Sequence, residues 1–151
     1  MERQLNEAAE QGFRFSAVMG GETEFGGKEV VSVMSRSAGV PARFAYRLLA
    51  TNRTSAMEKE MQEAAKEGYE YKGQTIAETV FGGQEVIVIM ERDKDSMARS
   101  EYHLVATTRT STLQKELGDE GRAGFNVVGL TVAKTAMGGR ELVAIAKRPK
   151  N

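Results

Sequence analysis

The sequence predicts an α+β fold of three tandem βαββ repeats, with helices packed on one face of antiparallel strands that can curl toward a barrel. Three observations carry this. Residues 1–36 lie without gaps over residues 57–92, and 15 of the 36 positions are identical. A further shift of 56 places residues 113–148 on the same frame. Residues 46–55 (YRLLATNRTS) match residues 102–111 (YHLVATTRTS) at 7 of 10 positions. A fixed period of this length marks one supersecondary unit used again and again.

The second copy displays every element. Residues 46–51 (YRLLAT) form a short run of aromatic, aliphatic and Thr residues, the pattern of a strand. Ser55 and Glu58 have the spacing of a capping box, and Ser111 with Gln114 repeats it. Met57, Met61, Ala64 and Ala65 then recur on one helical face. Gly68 follows the last turn, where a left-handed C′ residue is expected, and Gly12 and Gly124 hold the same place. After that glycine the period falls from about 3.6 to 2. Tyr69 and Tyr71 alternate with Glu70 and Lys72, as Phe13 and Phe15 do in copy one, which predicts a second strand. Phe81-Gly82-Gly83-Gln84 is a hairpin signal with counterparts at Gly26-Gly27 and Gly138-Gly139, because primed two-residue turns need positive φ. A third strand follows over residues 85–91 (EVIVIME).

The chain is thus read as one domain over 1–151: a shortened copy at 1–36, copy two at 44–92 and copy three at 100–148. Residues 37–43 and 93–99 serve as links, and both prolines, Pro41 and Pro149, fall outside the elements. Copy one lacks the leading strand, since Met1 occupies the place of Met57, within the helix. That frame points to a fragment of a longer array or a start set inside a repeat. In copy three, Gly118 and Gly121 replace Gln62 and Ala65. Each glycine costs about 1 kcal/mol relative to alanine, so this helix is expected to be the shortest or most mobile.

The third strands are apolar on both alternating faces: Val86-Ile87-Val88-Ile89-Met90, with a similar run at 29–34. A helix covers only one face, and a one-sided sheet would alternate cleanly. The other face must meet a second layer, either the rest of a curled sheet or another chain. The missing strand of copy one adds an open edge, itself a template for association. A homo-oligomer is the expectation. Phe13, Phe15, Met61, Tyr69, Tyr71, Val88, Ile89 and Leu117 are the expected core.

Composition removes several function classes. Lys and Arg number 21 and Asp and Glu 21, so the chain lacks the basic footprint of a nucleic-acid binder and offers nothing to an anionic membrane surface. With no cysteine, disulfides, thiolate metal sites and thiol catalysis are excluded. No apolar run has the length of a membrane span or the form of a signal peptide.

The run Leu5-Asn6-Glu7-Ala8-Ala9-Glu10-Gln11-Gly12-Phe13-Arg14-Phe15, with its copy at 61–71, resembles a helix-to-strand junction in small bacterial α+β domains. The likeness covers about half of each repeat. It implies a small α+β fold and brings no activity, cofactor or site residue.

Candidate site residues are few. His103, the sole histidine, replaces Arg47 on a strand and could serve as a general base, although no nucleophile motif accompanies it. As an ordinary polar strand residue it needs no partner. Arg53 and Arg109 sit between strand and helix N-terminus, where backbone donors and a guanidinium could hold an anion. Alternatively the Thr and Ser residues cap the helix while each Arg pairs with a carboxylate. Glu29, Glu85 and Glu141 follow the Gly-Gly pairs; around a pseudo-threefold axis they could converge on a hard cation, or they are solvated charges near hairpin tips. Glu22 and Glu78 precede the turn, but Lys134 breaks that set. No metal-ligand spacing and no cofactor motif is present, and the Gly-Gly pairs join strands rather than cradle phosphate. The leading reading is a non-catalytic repeat domain that assembles with itself or binds a partner. The alternative is a small enzyme, such as a hydrolase, built from Arg53, Arg109, His103, Tyr102, Glu85 and Glu141.

Overall fold

The computed structural model describes residues 1–22, 28–51, 53–78, 84–134 and 139–150. The order is α1 (Glu2–Glu10), β1 (Arg14–Glu22), β2 (Lys28–Ser35), β3 (Phe44–Thr51), α2 (Thr54–Lys66), β4 (Glu70–Glu78), β5 (Gln84–Asp93), β6 (Ser100–Thr107), α3 (Thr110–Arg122), β7 (Asn126–Lys134) and β8 (Arg140–Pro149). The βαββ pattern is therefore present, and every pairing is antiparallel. Among the described residues the strands form three separate sheets, β1-β2, β3-β5-β4 and β6-β8-β7, and no closed barrel. The Gly-Gly pairs at 26–27 and 82–83, and Gly138 of the third, lie outside the described residues.

The sheets stack in chain order, with β1 and β2 against β4, and β4 and β5 against β7. This stacking explains the two-sided apolar strands. On β5, residues Val86, Val88 and Met90 share one face and Ile87, Ile89 and Glu91 the other. Met57, Met61, Ala64 and Ala65 of α2 pack with Val88 and Met90, and the same cluster reaches Tyr102 and Ile145 of copy three. Ile87 and Ile89 pack instead with Leu5 and Ala9 of α1 and with Phe15 and Val18 of β1. The helix-bearing face of one repeat thus covers the bare face of the next. The second layer is the neighbouring repeat.

The outer edge of each leading strand is covered by side chains of the preceding helix. Asn6 pairs its amide with the backbone of Tyr46 in both directions, each bond 2.9 Å, and Glu2 accepts the Leu48 N–H at 2.8 Å. One repeat on, Gln62 donates to the Tyr102 carbonyl and Glu58 accepts the Leu104 N–H at 2.8 Å. These bonds satisfy backbone groups that an edge strand would otherwise leave open. They also correct the capping-box expectation. Helices α2 and α3 start at Arg53 and Arg109 with no side-chain cap, and Glu58 reaches forward to the next strand rather than back to Ser55. Ser111 and Gln114 likewise form no cap.

The glycine after each helix behaves as expected, with φ of +84° at Gly12, +89° at Gly68 and +86° at Gly124. A further set at the same period braces that corner. Arg36, Arg92 and Arg148 lie 5.3, 5.3 and 4.4 Å over the rings of Phe13, Tyr69 and Phe125. Such cation–π contacts contribute about 0.5–1 kcal/mol each at exposed sites.

Three further expectations change. Helix α3 has 13 residues, as many as α2, and α1 with 9 is the shortest described. The two glycines of α3 thin its core face to Leu113, with Leu117 packed beside it, without shortening it. Pro149 is the last residue of β8, opposite Ser100, at a strand end where a missing donor is tolerated. Among the expected core, Met61, Val88, Ile89 and Tyr69 are buried, while Phe15, Tyr71 and Leu117 only pack against the clusters and Phe13 is half-buried under Arg36.

Candidate interaction surface

Two joints hold the stack together, and each has a polar centre that sequence reading missed. In the first, Glu91 on the bare face of β5 is 3% exposed and accepts a bidentate hydrogen bond from Arg14 (Nη2 to Oε1 at 2.9 Å, Nε to Oε2 at 3.3 Å), a bond from the Tyr46 hydroxyl (2.8 Å) and an ion pair from Lys72 (3.1 Å). Burial raises its carboxyl pKa, but the bonds from Arg14, Tyr46 and Lys72 outweigh that and hold it below the usual carboxylate range. Burial pushes the Tyr46 hydroxyl up, so it stays a neutral donor to Glu91 while accepting the Phe15 N–H at 2.8 Å.

The second joint repeats the geometry with the charges exchanged. Glu70 stands where Arg14 stands, Lys147 stands where Glu91 stands, and their atoms meet at 3.0 Å. Ser100 donates to Glu70 at 2.9 Å, and the Tyr102 hydroxyl accepts the Tyr71 N–H at 2.8 Å. Burial raises the Tyr102 pKa to about 12. The only signal for these pairs in the sequence is opposite charge at equivalent repeat positions, which has no meaning until the stacking order is known.

A knob-and-floor contact accompanies each polar centre. Gly73 lies under the Phe15 ring, so close that a Cβ there would stand 3.2 Å from Phe15 Cζ. Gly129 lies under Tyr71, where a Cβ would come within 2.6 Å of the hydroxyl oxygen. A side chain on either floor would force the aromatic knob to shift.

The faces at the two ends of the stack have no such cover. Val33 is 54% exposed, whereas its equivalents Ile89 and Ile145 are 0% and 1% exposed. Val31 and Met19 are exposed beside it. At the other end Val127, Leu130 and Val132 of β7 are exposed on the helix-bearing face, Leu130 at 57%. Among the described residues, β2 pairs only with β1, so its outer edge also lies open.

The residues chosen from sequence do not converge on one site. His103 Nδ1 meets Glu120 at 3.1 Å, and its ring stacks on Phe125 at 4.4 Å. Arg47 does the equivalent in copy two, pairing with Glu67 and lying 4.6 Å over Tyr69. Tyr102 is fully buried in the second joint. Arg53 and Arg109 are exposed at the N-caps, and Thr51 and Thr107 side chains accept their backbone N–H groups. Glu141 accepts a bond from Thr54 at 3.3 Å, Glu85 lies opposite Ala77 on β4, and Glu29 is exposed opposite Gly21. Among the described residues no three His, Asp or Glu side chains form a metal-sized group. A cleft of about 330 Å³ at the second joint is lined by Gln62, Lys66, Arg99, Ser100 and Lys150, and contains none of these candidates. No described helix is long and apolar enough to cross a membrane.

No protein-family model, no curated protein and no solved structure matches the chain.

Proposed function

We propose that the chain is a non-catalytic repeat domain whose work is assembly, with itself before any other partner. The observation that carries this reading is the contrast at one repeat position: Ile89 and Ile145 are buried by the preceding repeat, while Val33 is 54% exposed. Apolar side chains that the fold buries at two of three copies are left in water at the third. Contiguous exposed apolar surface of this kind marks an interaction site. The zero net charge leaves no electrostatic barrier to self-association. Sedimentation velocity from about 1 to 100 μM tests it, a span that brackets micromolar affinity. The expected result is a weight-average mass that rises with concentration. A mass of one chain, 16.5 kDa, at every concentration rejects self-assembly.

A further inference from the structure

We infer that the two end faces are the two halves of one joint, so that the Val127–Leu130 face of one molecule docks head-to-tail on the Ala17–Val33 face of a second copy. This rests on the assembly reading and specifies its partner and its geometry. The template is the joint seen twice inside the chain. Val18 and Ile89 lie in one cluster across the first joint, and Leu130 and Val33 are their equivalents at the ends.

Two positions at the ends differ from the internal joints, and they differ together. Inside the chain an aromatic knob sits on glycine: Phe15 on Gly73 and Tyr71 on Gly129. At the ends the knob is Val127 and the floor is Ala17. The smaller knob is matched by the larger floor. Inside the chain the polar centre is a salt bridge, Arg14 with Glu91 and Glu70 with Lys147. At the ends the same two positions are Asn126 and Ser35, a neutral pair able to hydrogen-bond. A charge at one and not the other would be buried unpaired, which is costly. Neither end carries one. Mismatched joints fit less well: Asn126 against Lys147 would leave that ammonium without Glu70, and Asn126 against Glu91 would replace the Arg14 ion pair by a neutral amide, so the pattern also favours end against end.

The helix edge agrees with a joint made by sheet faces. Helices α1 and α2 carry Glu2 with Asn6 and Glu58 with Gln62 to grip a following strand. At the same positions α3 carries Gln114 and Gly118. A joint that uses different surfaces on its two sides does not close on itself as a twofold dimer does, so it propagates as a chain or closes as a ring of several copies.

The test uses two variants of the full chain, each blocked at one exposed end position: Val33→Glu and Leu130→Glu. Circular dichroism first confirms that each keeps the wild-type fold, as expected for side chains that stand in water. Alone, each variant is expected to lose the rise of mass with concentration. Mixed in equal amounts, they are expected to form a complex of two chains and no larger species, since one good end from each remains. If either variant still self-associates as the wild type does, or if the mixture stays monomeric while the wild type associates, the head-to-tail joint is overturned and self-assembly by another surface stands. If the wild type itself is monomeric throughout, this inference and the assembly reading fall together.

Discussion

Glu91→Ala is expected to destabilise the chain by about 2–3 kcal/mol, read as a lowered urea midpoint. The substitution leaves Arg14, Lys72 and the Tyr46 hydroxyl around a space that the carboxylate filled. Removing one partner of a buried ion pair costs about 3–5 kcal/mol when the other charge stays buried. Arg14 and Lys72 keep 49% and 30% of their side chains in water, so part of that penalty is relieved. The same site sets an acid limit. Glu91 has a pKa lowered from 4.5 in the folded chain, so its contribution is complete above that value and is lost as pH falls through the folded pKa. Glu70 has a carboxyl pKa shifted in the same direction. Stability is therefore expected to fall below about pH 4.5, and Glu91→Gln to flatten that fall. An acid limb unchanged by Glu91→Gln would show that the carboxylate is not held by its three partners.

Ile89→Ala is expected to cost about 2–5 kcal/mol, because it opens a cavity in a joint closed from both sides. Ile89 is fully buried among Leu5, Phe15 and Val18 of the preceding copy. Val33→Ala, at the equivalent position of copy one, is expected to cost less than about 0.5 kcal/mol as an exposed change. The pair of thermal or urea midpoints isolates what a preceding repeat adds at this position. Equal losses at Ile89 and Val33 would mean that the bare face of β5 is not covered by copy one.

Much of the fold is legible in the sequence because repetition marks what is local. The 56-residue frame places each helix, each C′ glycine and each strand to within a few residues, since periodicity and glycine chemistry act over short stretches. The apolar strand faces Val86–Met90 also foretell a second layer. Its identity is not legible, because a strand pattern records that a face is buried and not by what. Glu58 shows the difficulty at one residue. A Ser-x-x-Glu spacing reads as a cap, yet in the fold a strand edge 46 residues away offers a backbone N–H, and Glu58 goes there. Nothing in the sequence pairs Arg14 with Glu91 or Glu70 with Lys147 until the stacking direction brings them together. The candidates His103, Arg53 and Arg109 stood out for rarity or place, and each has a local partner: Glu120 for His103, and a Thr side chain for the backbone of each Arg.

The absence of cysteine permits the most direct measurement of the assembly joint. Val33→Cys and Leu130→Cys, prepared separately, are mixed at equal concentration and oxidised, with Met97→Cys as a freely exposed control. Disulfides are expected to form between Cys at 33 and Cys at 130 well in excess of either self-pair and of the control. Cross-linking no greater than with Met97→Cys, or dominated by 33–33 or 130–130 pairs, would contradict a directional joint between the two ends.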